Sequence, residues 1–245
     1  MSARITRATA VRVLSQLRRD PRTIALVLAV PPLLLVLLKY TFAGAPATFH
    51  RIGVPLIGLF PFITMFAVTS ITMLRERTTG TLERLMTTPL AKLDLLLGYA
   101  IAFGFLAAIQ ALITAGVGFG PLGLHTAGSS ALVVLLAIGN AVLGVALGLL
   151  TSAFARTEFQ AIQFLPAVVF PQLILCGLFA PRAEMAPLLQ AISYAMPLTY
   201  AFDALQRASS QGTLGPRGVL DVVVIAGATL LALALGAATR RRRTP

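Results

Sequence analysis

Six long apolar segments dominate the pattern of hydrophobic and polar positions along the chain. Each runs for about 20 residues and ends at a charged residue or at Pro or Gly. At about 1.5 Å per residue, a helix of this length crosses the roughly 30 Å hydrocarbon core of a bilayer. The segments are residues 23–42, 54–74, 95–119, 131–150, 161–180 and 219–239. The pattern predicts an all-α polytopic membrane protein with six transmembrane helices in a single transmembrane domain, residues 23–239.

The first 22 residues have a different, amphipathic pattern. One helical face carries the apolar residues Ala10, Val13, Leu14 and Leu17. The opposite face carries the basic residues Arg4, Arg7, Arg18 and Arg22. Such helices lie in a membrane interface with the basic face toward water. We therefore predict a cytoplasmic amphipathic interfacial helix over residues 1–22, with a basic anchor that has no specific docking role as the alternative.

A second irregular region separates the fifth and sixth apolar segments. Residues 185–194 and 198–208 have apolar helical patterns that Pro187 and Pro197 interrupt, and each is too short to cross a bilayer. The preferred interpretation is a re-entrant helix pair on the outer side of the membrane, within residues 184–208. An ordinary extracellular loop with helical turns is the alternative.

The distribution of basic residues predicts the orientation of the spans. The chain carries 20 Lys and Arg against 8 Asp and Glu. If both termini share one side with loops 75–94 and 151–160, that side holds 15 basic residues and the opposite loops hold four. This positive-inside bias predicts a multi-pass protein with both termini in the cytoplasm. The preference for Arg over Lys favours a bacterial source, and hence the plasma membrane. The basic tail, residues 240–245, is then a membrane anchor and not a nucleic-acid site.

Rare residue types exclude several kinds of chemistry. The single cysteine, Cys176, forms no intramolecular disulfide, and with His50 and His125 in separate loops it makes no zinc site. Neither Lys39 nor Lys92 belongs to a phosphate-binding loop, so we expect no ATP, no metal and no catalytic residue in this chain. No carboxylate lies in the middle of an apolar segment, which argues against an ion-coupled secondary transporter. That transporter and a non-transporting membrane scaffold are the alternative functions.

The most informative segment is the loop that follows the second apolar segment. Gly80 interrupts the helix, Thr81 is a favourable N-cap, and Glu83 suits the positive end of the next helix dipole. One face of that helix carries Leu82, Leu85 and Met86. Pro89 follows the end of the helix. The loop therefore predicts a short amphipathic helix on the cytoplasmic face, shaped to seat in a groove of a soluble partner.

This loop resembles the pattern Glu-x(3)-Gly-Thr-Leu-Glu-x-Leu-x-x-Thr-Pro-Leu of the membrane-spanning subunits of type-2 ABC exporters, of the daunorubicin-resistance and nodulation-export kind. The matching residues are Glu76, Gly80, Thr81, Leu82, Glu83, Leu85, Thr88, Pro89 and Leu90. A second family pattern, before the last span, is matched by Pro197, Leu198, Thr199, Tyr200 and Asp203. The sequence departs from the family at Met196 (usually Asn), Gln206 (usually Arg) and Tyr99 (commonly Lys).

The resemblance implies a permease subunit of an ATP-driven exporter that moves a hydrophobic or amphipathic substrate, such as a drug, a lipid or a glycan-lipid. The loop would be the coupling helix to a separate cytoplasmic ABC ATP-binding subunit, through Glu76, Gly80, Thr81, Leu82, Glu83, Leu85, Met86 and Pro89. Mg-ATP would bind in that partner, and this chain would hold no cofactor. A second permease copy or a paralogue and membrane lipids are the other expected partners; nucleic acid is not.

Polar side chains within the spans suggest a substrate route. We predict that Phe66 and Thr69 of the second span face Gln163 of the fifth span across this route. Gln172 lies nine residues after Gln163, on the opposite face of a straight helix, and joins the route only if a proline distorts the fifth span. Packing between spans is the alternative role for these polar side chains.

Glycines in the fourth span predict a close helix contact. Gly144 and Gly148 are four residues apart, and Gly139 precedes them by about a turn. Small residues at this spacing allow two membrane helices to approach closely, because no side chain separates their backbones.

Overall fold

The computed structural model describes residues 3–79, 92–211 and 214–239, and over these residues it is all-helical. The helices are α1 (Ala3–Arg18), α2 (Pro21–Thr41), α3 (Pro46–Thr78), α4 (Lys92–Phe119), α5 (Ser130–Thr151), α6 (Glu158–Phe164), α7 (Phe170–Leu175), α8 (Pro187–Ser193), α9 (Pro197–Ser210) and α10 (Gly215–Ala238). Within these described ranges, six segments are long and apolar enough to cross a membrane: Pro21–Thr41, Pro46–Thr78, Leu93–Phe119, Ser130–Thr151, Glu158–Leu175 and Gly215–Ala238. The predicted fold class is confirmed.

The second span is much longer than its apolar segment. α3 covers 33 residues, Pro46–Thr78, whereas the predicted apolar segment runs only from position 54 to position 74. Polar residues such as His50 and Arg77 extend the helix at both ends, because the hydrogen bonds of a helix do not depend on apolar side chains. Pro46 starts it, at a position where a missing N–H leaves no helical hydrogen bond unmade. His50 therefore lies in a helix and not in a loop as predicted.

The contact between α3 and α5 forms the centre of the fold. A Cβ added to Gly148 would lie 2.6 Å from the carbonyl oxygen of Phe66, and one added to Gly144 would collide with the carbonyl oxygen of Phe62. The two glycines thus let the backbones of α3 and α5 touch, which confirms the predicted close contact. A Cβ on Gly139 would meet no atom within 4 Å. Its inclusion in this face was wrong, because at five residues before Gly144 it points away from α3.

Helix α1 packs its apolar face on α4. Ala10, Val13 and Leu17 are buried and share a hydrophobic cluster with Leu96 and Phe103 of α4. The apolar stripe that the sequence indicated therefore contacts protein. The position of α1 relative to the lipid headgroups stays a prediction.

The fifth span is an interrupted helix. Between α6 and α7 the chain forms a π-helical segment, Leu165–Val169, that contains Pro166. A proline inside a helix lacks one N–H donor and clashes with the preceding turn, so the local pitch changes. The span ends at Leu175, short of the predicted boundary at 180, and Gly177 follows with φ of +104°, a value that favours glycine.

The two ends of the bundle differ in their connections. One end, here called the loop end, contains α1, Thr79 at the end of α3 and the start of α4. At the opposite end, here called the hairpin end, the N–H of Ala127 donates to the carbonyl oxygen of Ser209 on α9 (2.8 Å). The rings of His50 and His125 stack there, with centroids 5.7 Å apart. The short helices α8 and α9 form as predicted; their re-entrant position in a membrane stays a prediction.

Candidate coupling site and hairpin motif

Glu76 is the only residue of the predicted coupling set that lies within the described part of the chain. Outside it lie Gly80, Thr81, Leu82, Glu83, Leu85, Met86 and Pro89. Glu76 occupies the last turns of α3 and is 9% exposed. Gln16 Nε2 of α1 donates to Glu76 Oε1 (3.2 Å), and Arg12 Nη1 lies 3.6 Å from Glu76 Oε2. The Glu76 carboxylate therefore faces α1.

Arg12 connects Glu76 with Tyr99 of α4. Its Nη2 donates to the hydroxyl oxygen of Tyr99 (2.7 Å), and its guanidinium carbon lies 5.8 Å from the centroid of the Tyr99 ring. Tyr99 is fully buried. Sequence analysis missed Arg12, which belongs neither to the apolar face of α1 nor to its water-facing arginines. Its place at the border of these two faces was the available signal.

A close backbone approach holds α1 on the first turns of α4. A Cβ on Gly98 would lie 2.6 Å from Thr9 Cβ and 3.0 Å from the carbonyl oxygen of Thr6. Thr6 Oγ1 also donates to Oδ1 of the buried Asp94 (3.4 Å). Gly98 is therefore small because α1 lies directly against it. Both chain segments that flank residues 80–91 thus contact α1.

The end of α3 is also tied to the turn that precedes the fifth span. Arg75 donates from Nε and Nη2 to the two carboxylate oxygens of Glu158 (2.8 and 3.0 Å). This bidentate pair is solvent-exposed, so we expect it to contribute little to stability. Arg77 Nη1 donates to the carbonyl oxygens of Ser152 and Ala155. These contacts fix the turn between α5 and α6 at the loop end.

A cleft of about 480 Å³ opens beside Glu76, between α1, α2 and α3. Asp20 and Arg75 line it with side chains of opposite charge. Asp20 caps α2: the hydroxyl and the N–H of Thr23 donate to its carboxylate (2.6 and 3.1 Å), and these hydrogen bonds lower the pKa of Asp20. The Asp20 carboxylate is therefore ionised at neutral pH, and together with Arg75 it gives the cleft groups of opposite charge.

The hairpin motif joins α8, α9 and the fifth span through hydrogen bonds. Pro197 starts α9, and the N–H of Leu198 donates to Gln172 Oε1 of α7 (3.4 Å). Thr199 Oγ1 donates to the carbonyl oxygen of Ser193 (2.7 Å), and the Tyr200 hydroxyl donates to the carbonyl oxygen of Tyr194 (2.7 Å). Leu198, Thr199 and Tyr200 thus contact the end of α8 or the fifth span, so these residues fix the geometry of the hairpin.

Two ion pairs strengthen the hairpin end. Asp203 of the motif accepts from Arg182 Nη2 at 2.6 Å, and Arg182 also lies over the ring of Tyr194. Arg207 Nε lies 3.4 Å from Oδ2 of Asp221, which is buried in the first turns of α10. Sequence analysis missed Arg182, Arg207 and Asp221, because residues that pair across 14 or more positions leave no local pattern.

The structure does not bring the predicted substrate-route residues together. Phe66 and Thr69 are fully buried where α3 meets Gly148 of α5, and Thr69 Oγ1 donates to the carbonyl oxygen of Met65 in its own helix (2.6 Å). Gln163 is exposed, whereas Gln172 is buried against the start of α9. The π-helical segment between them therefore does not bring the two glutamines to one face: Gln163 stays exposed and Gln172 stays buried.

A family comparison agrees with this architecture. The model of the ABC-2 type transporter family matches residues 5–208, from α1 through most of α9. The chain therefore belongs to the ABC-2 type transporter family, and the resemblance seen in the loop and hairpin motifs is confirmed.

Individual relatives include probable permeases of multidrug ABC transporters. The chain is 27% identical over 215 residues to a probable multidrug ABC transporter permease, YbhS, of Escherichia coli (strain K12), covering 86% of this chain and 56% of that protein. It is 30% identical over 148 residues to the probable multidrug permease YbhR of the same organism, covering 60% and 40%. It is also 26% identical over 151 residues to ABC transporter G family member 20 of Dictyostelium discoideum, covering 62% and 21%. The chain thus spans about half the length of the bacterial relatives.

Proposed function

We propose that this chain is the membrane-spanning subunit of an ATP-driven exporter that moves a hydrophobic or amphipathic molecule out of the cell. A separate cytoplasmic ATP-binding subunit would supply the energy. The observation that carries the proposal is the placement of the loop motif. Glu76 before the loop and Asp94 after it are both held on α1, so the two chain segments that flank the loop motif lie together at one end of the bundle. The multidrug permeases among its relatives support export as the direction of transport.

The energy source is the first test of this proposal. The purified chain alone should show no ATP turnover, because neither lysine lies in a phosphate-binding loop. The complex with its ATP-binding subunit, isolated by detergent pull-down from native membranes, should hydrolyse ATP. A variant of that subunit without the lysine of its phosphate-binding loop is the matched control and should be inactive. ATP turnover by the isolated chain, free of the partner, would contradict the proposal.

A second permease copy, or a paralogue, would complete the exporter. The outer spans support this proposal. Only 17% of the apolar stretch of α2 and 28% of that of α10 is buried within the chain, against 67% in α3. Large apolar side chains such as Leu26 and Leu230 are more than 60% exposed. Lipid covers part of this surface. The mass of the intact complex would distinguish one permease copy from two.

We also propose that the loop end faces the cytoplasm, which labelling of single cysteines can test. The Cys176 thiol is buried, so this native cysteine should react slowly and can be replaced by Ser. In that background, a cysteine at Thr79 or Arg242 should react with an impermeant maleimide only after the cells are permeabilised. A cysteine at Leu188, 71% exposed near the hairpin end, is the control and should react in intact cells. The reverse pattern would overturn the orientation.

A further inference from the structure

We propose that Arg12, Glu76 and Tyr99 form a clamp that positions the coupling loop, and that Glu76 serves this clamp instead of contacting the ATP-binding subunit. The inference rests on the proposed function, because it assigns the role of one residue in the predicted coupling set. Glu76 then is a positioning residue, and α1 is a third element, besides α3 and α4, that moves with the loop.

The geometry of Arg12 is the first argument. One guanidinium reaches two helices: Nη1 lies 3.6 Å from Glu76 Oε2 on α3, and Nη2 donates to the Tyr99 hydroxyl on α4 at 2.7 Å. Glu76 precedes residues 80–91 and Tyr99 follows them. A single side chain of α1 therefore fixes the distance between the two chain segments from which the loop emerges.

The burial of the carboxylate is the second argument. The side chain of Glu76 is 10% exposed, and Gln16 and Arg12 approach its two oxygens from α1. A carboxylate that recognises a soluble partner has to be reachable by that partner. The Glu76 carboxylate is instead enclosed by α1, and a buried charge is retained in proteins when it is paired.

The attachment of α1 to α4 is the third argument. The backbone of α1 lies directly against Gly98, and Thr9 occupies the space that a side chain at Gly98 would take, so α1 is closely packed on α4. A force on the loop that displaces Glu76 is therefore passed through Arg12 to α1 and to Tyr99 of α4. Without the pair, α3 and α4 could respond to the loop independently.

Spin-label distances measured on the permease chain alone test the clamp without the partner. Labels are placed at Thr78 of α3 and Leu93 of α4, both exposed, after replacement of Cys176 by Ser. The parent should give one narrow distance distribution. Glu76→Gln and Arg12→Gln should each broaden it, and the double variant Arg12→Glu/Glu76→Arg should narrow it again. Arg18, like Arg12, lies in α1 but is exposed, so Arg18→Gln is the matched control and should leave the distance distribution unchanged.

The complex with the ATP-binding subunit tests the positioning role. Glu76→Gln should lower ATP hydrolysis by about tenfold, within the usual range of coupling between sites, while the affinity for the ATP-binding subunit stays within about twofold. The charge-swapped double variant should regain most of the activity. Tyr99→Phe removes only the hydroxyl that accepts from Arg12 and should give a smaller loss of ATP hydrolysis. Because this variant keeps the aromatic ring, its loss of activity would not reflect a general failure to fold.

Two results would overturn the inference. If Glu76→Gln weakens binding of the ATP-binding subunit and leaves the spin-label distances unchanged, Glu76 contacts the partner directly. If the charge-swapped variant restores neither the distances nor the activity, the Arg12–Glu76 pair does not fix the loop. Neither result bears on the proposed function, which fails if the isolated chain turns over ATP, or if the complex with the ATP-binding subunit does not form or does not hydrolyse ATP.

Discussion

A Gly148→Leu variant is expected to be strongly destabilised in detergent, with loss of the contact between α3 and α5. Its Cβ alone would lie 2.6 Å from the Phe66 carbonyl oxygen and 3.2 Å from the Ser70 nitrogen. These are backbone atoms of a helix, so they cannot rotate away as the end of a flexible side chain would. Overpacking in a close-packed core costs about 1–3 kcal/mol even when side chains can adjust. We therefore expect a loss of stability at or above the upper end of this range.

Cys176 provides the measurement and Gly139 the control. Cys176 is the only cysteine of the chain and is buried, so a thiol-reactive fluorescent dye reports unfolding during a thermal ramp. Gly139→Leu lies on the same helix, where an added Cβ meets no atom within 4 Å, and should melt close to the parent. Equal melting temperatures for the two variants would show that the close contact of α3 and α5 does not hold the bundle together.

Replacing Glu83 by Ala together with Leu85 by Asp is expected to abolish ATP hydrolysis by the complex while the chain still inserts into the membrane. Both residues belong to the loop motif, and their structure is outside the described residues. A carboxylate at a helix N-terminus contributes only about 0.3–1 kcal/mol to that helix, so its loss alone would not abolish activity. Complete loss would therefore indicate a contact with the ATP-binding subunit.

The affinity of the purified variant for the ATP-binding subunit is the decisive quantity, and it should fall sharply. Glu184→Ala removes an exposed carboxylate near the hairpin end and should leave both affinity and hydrolysis unchanged. Hydrolysis at the parent rate by the Glu83→Ala/Leu85→Asp double variant would remove the coupling role from this loop.

The six spans were predictable because each is a predominantly apolar segment of about 20 residues, a signal that depends on composition and length alone. Their ends were less so: α3 continues through His50 and Arg77, where polar side chains conceal a helix that extends beyond its apolar part. The π-helical segment was indicated only by Pro166, since proline predicts a distortion and not its form.

The candidate functional residues also divide into those that the sequence predicts and those that only the structure reveals. The apolar stripe of α1 and the glycine pair of α5 are periodic, so one sequence suffices to find them. Arg12, by contrast, acts through Glu76 and Tyr99, which lie more than 60 residues away. The facing direction of Phe66 and Thr69 depends on which helix packs on α3, and hydropathy does not identify that neighbour. Only the assembled bundle defines such relations.

The pairing of α3 with α5 has a consequence for how the protein is made. The partner of α3 is not the next span but the one after it, so α4 must be synthesised before the glycine face of α5 exists. The 73 residues between Thr78 and Thr151 take about 4–15 s to translate at 5–20 residues per second. For that interval the carbonyl groups of Phe62 and Phe66 lack their helix partner. Nascent chains arrested before residue 130 should accordingly be more susceptible to proteolysis than chains that already contain α5.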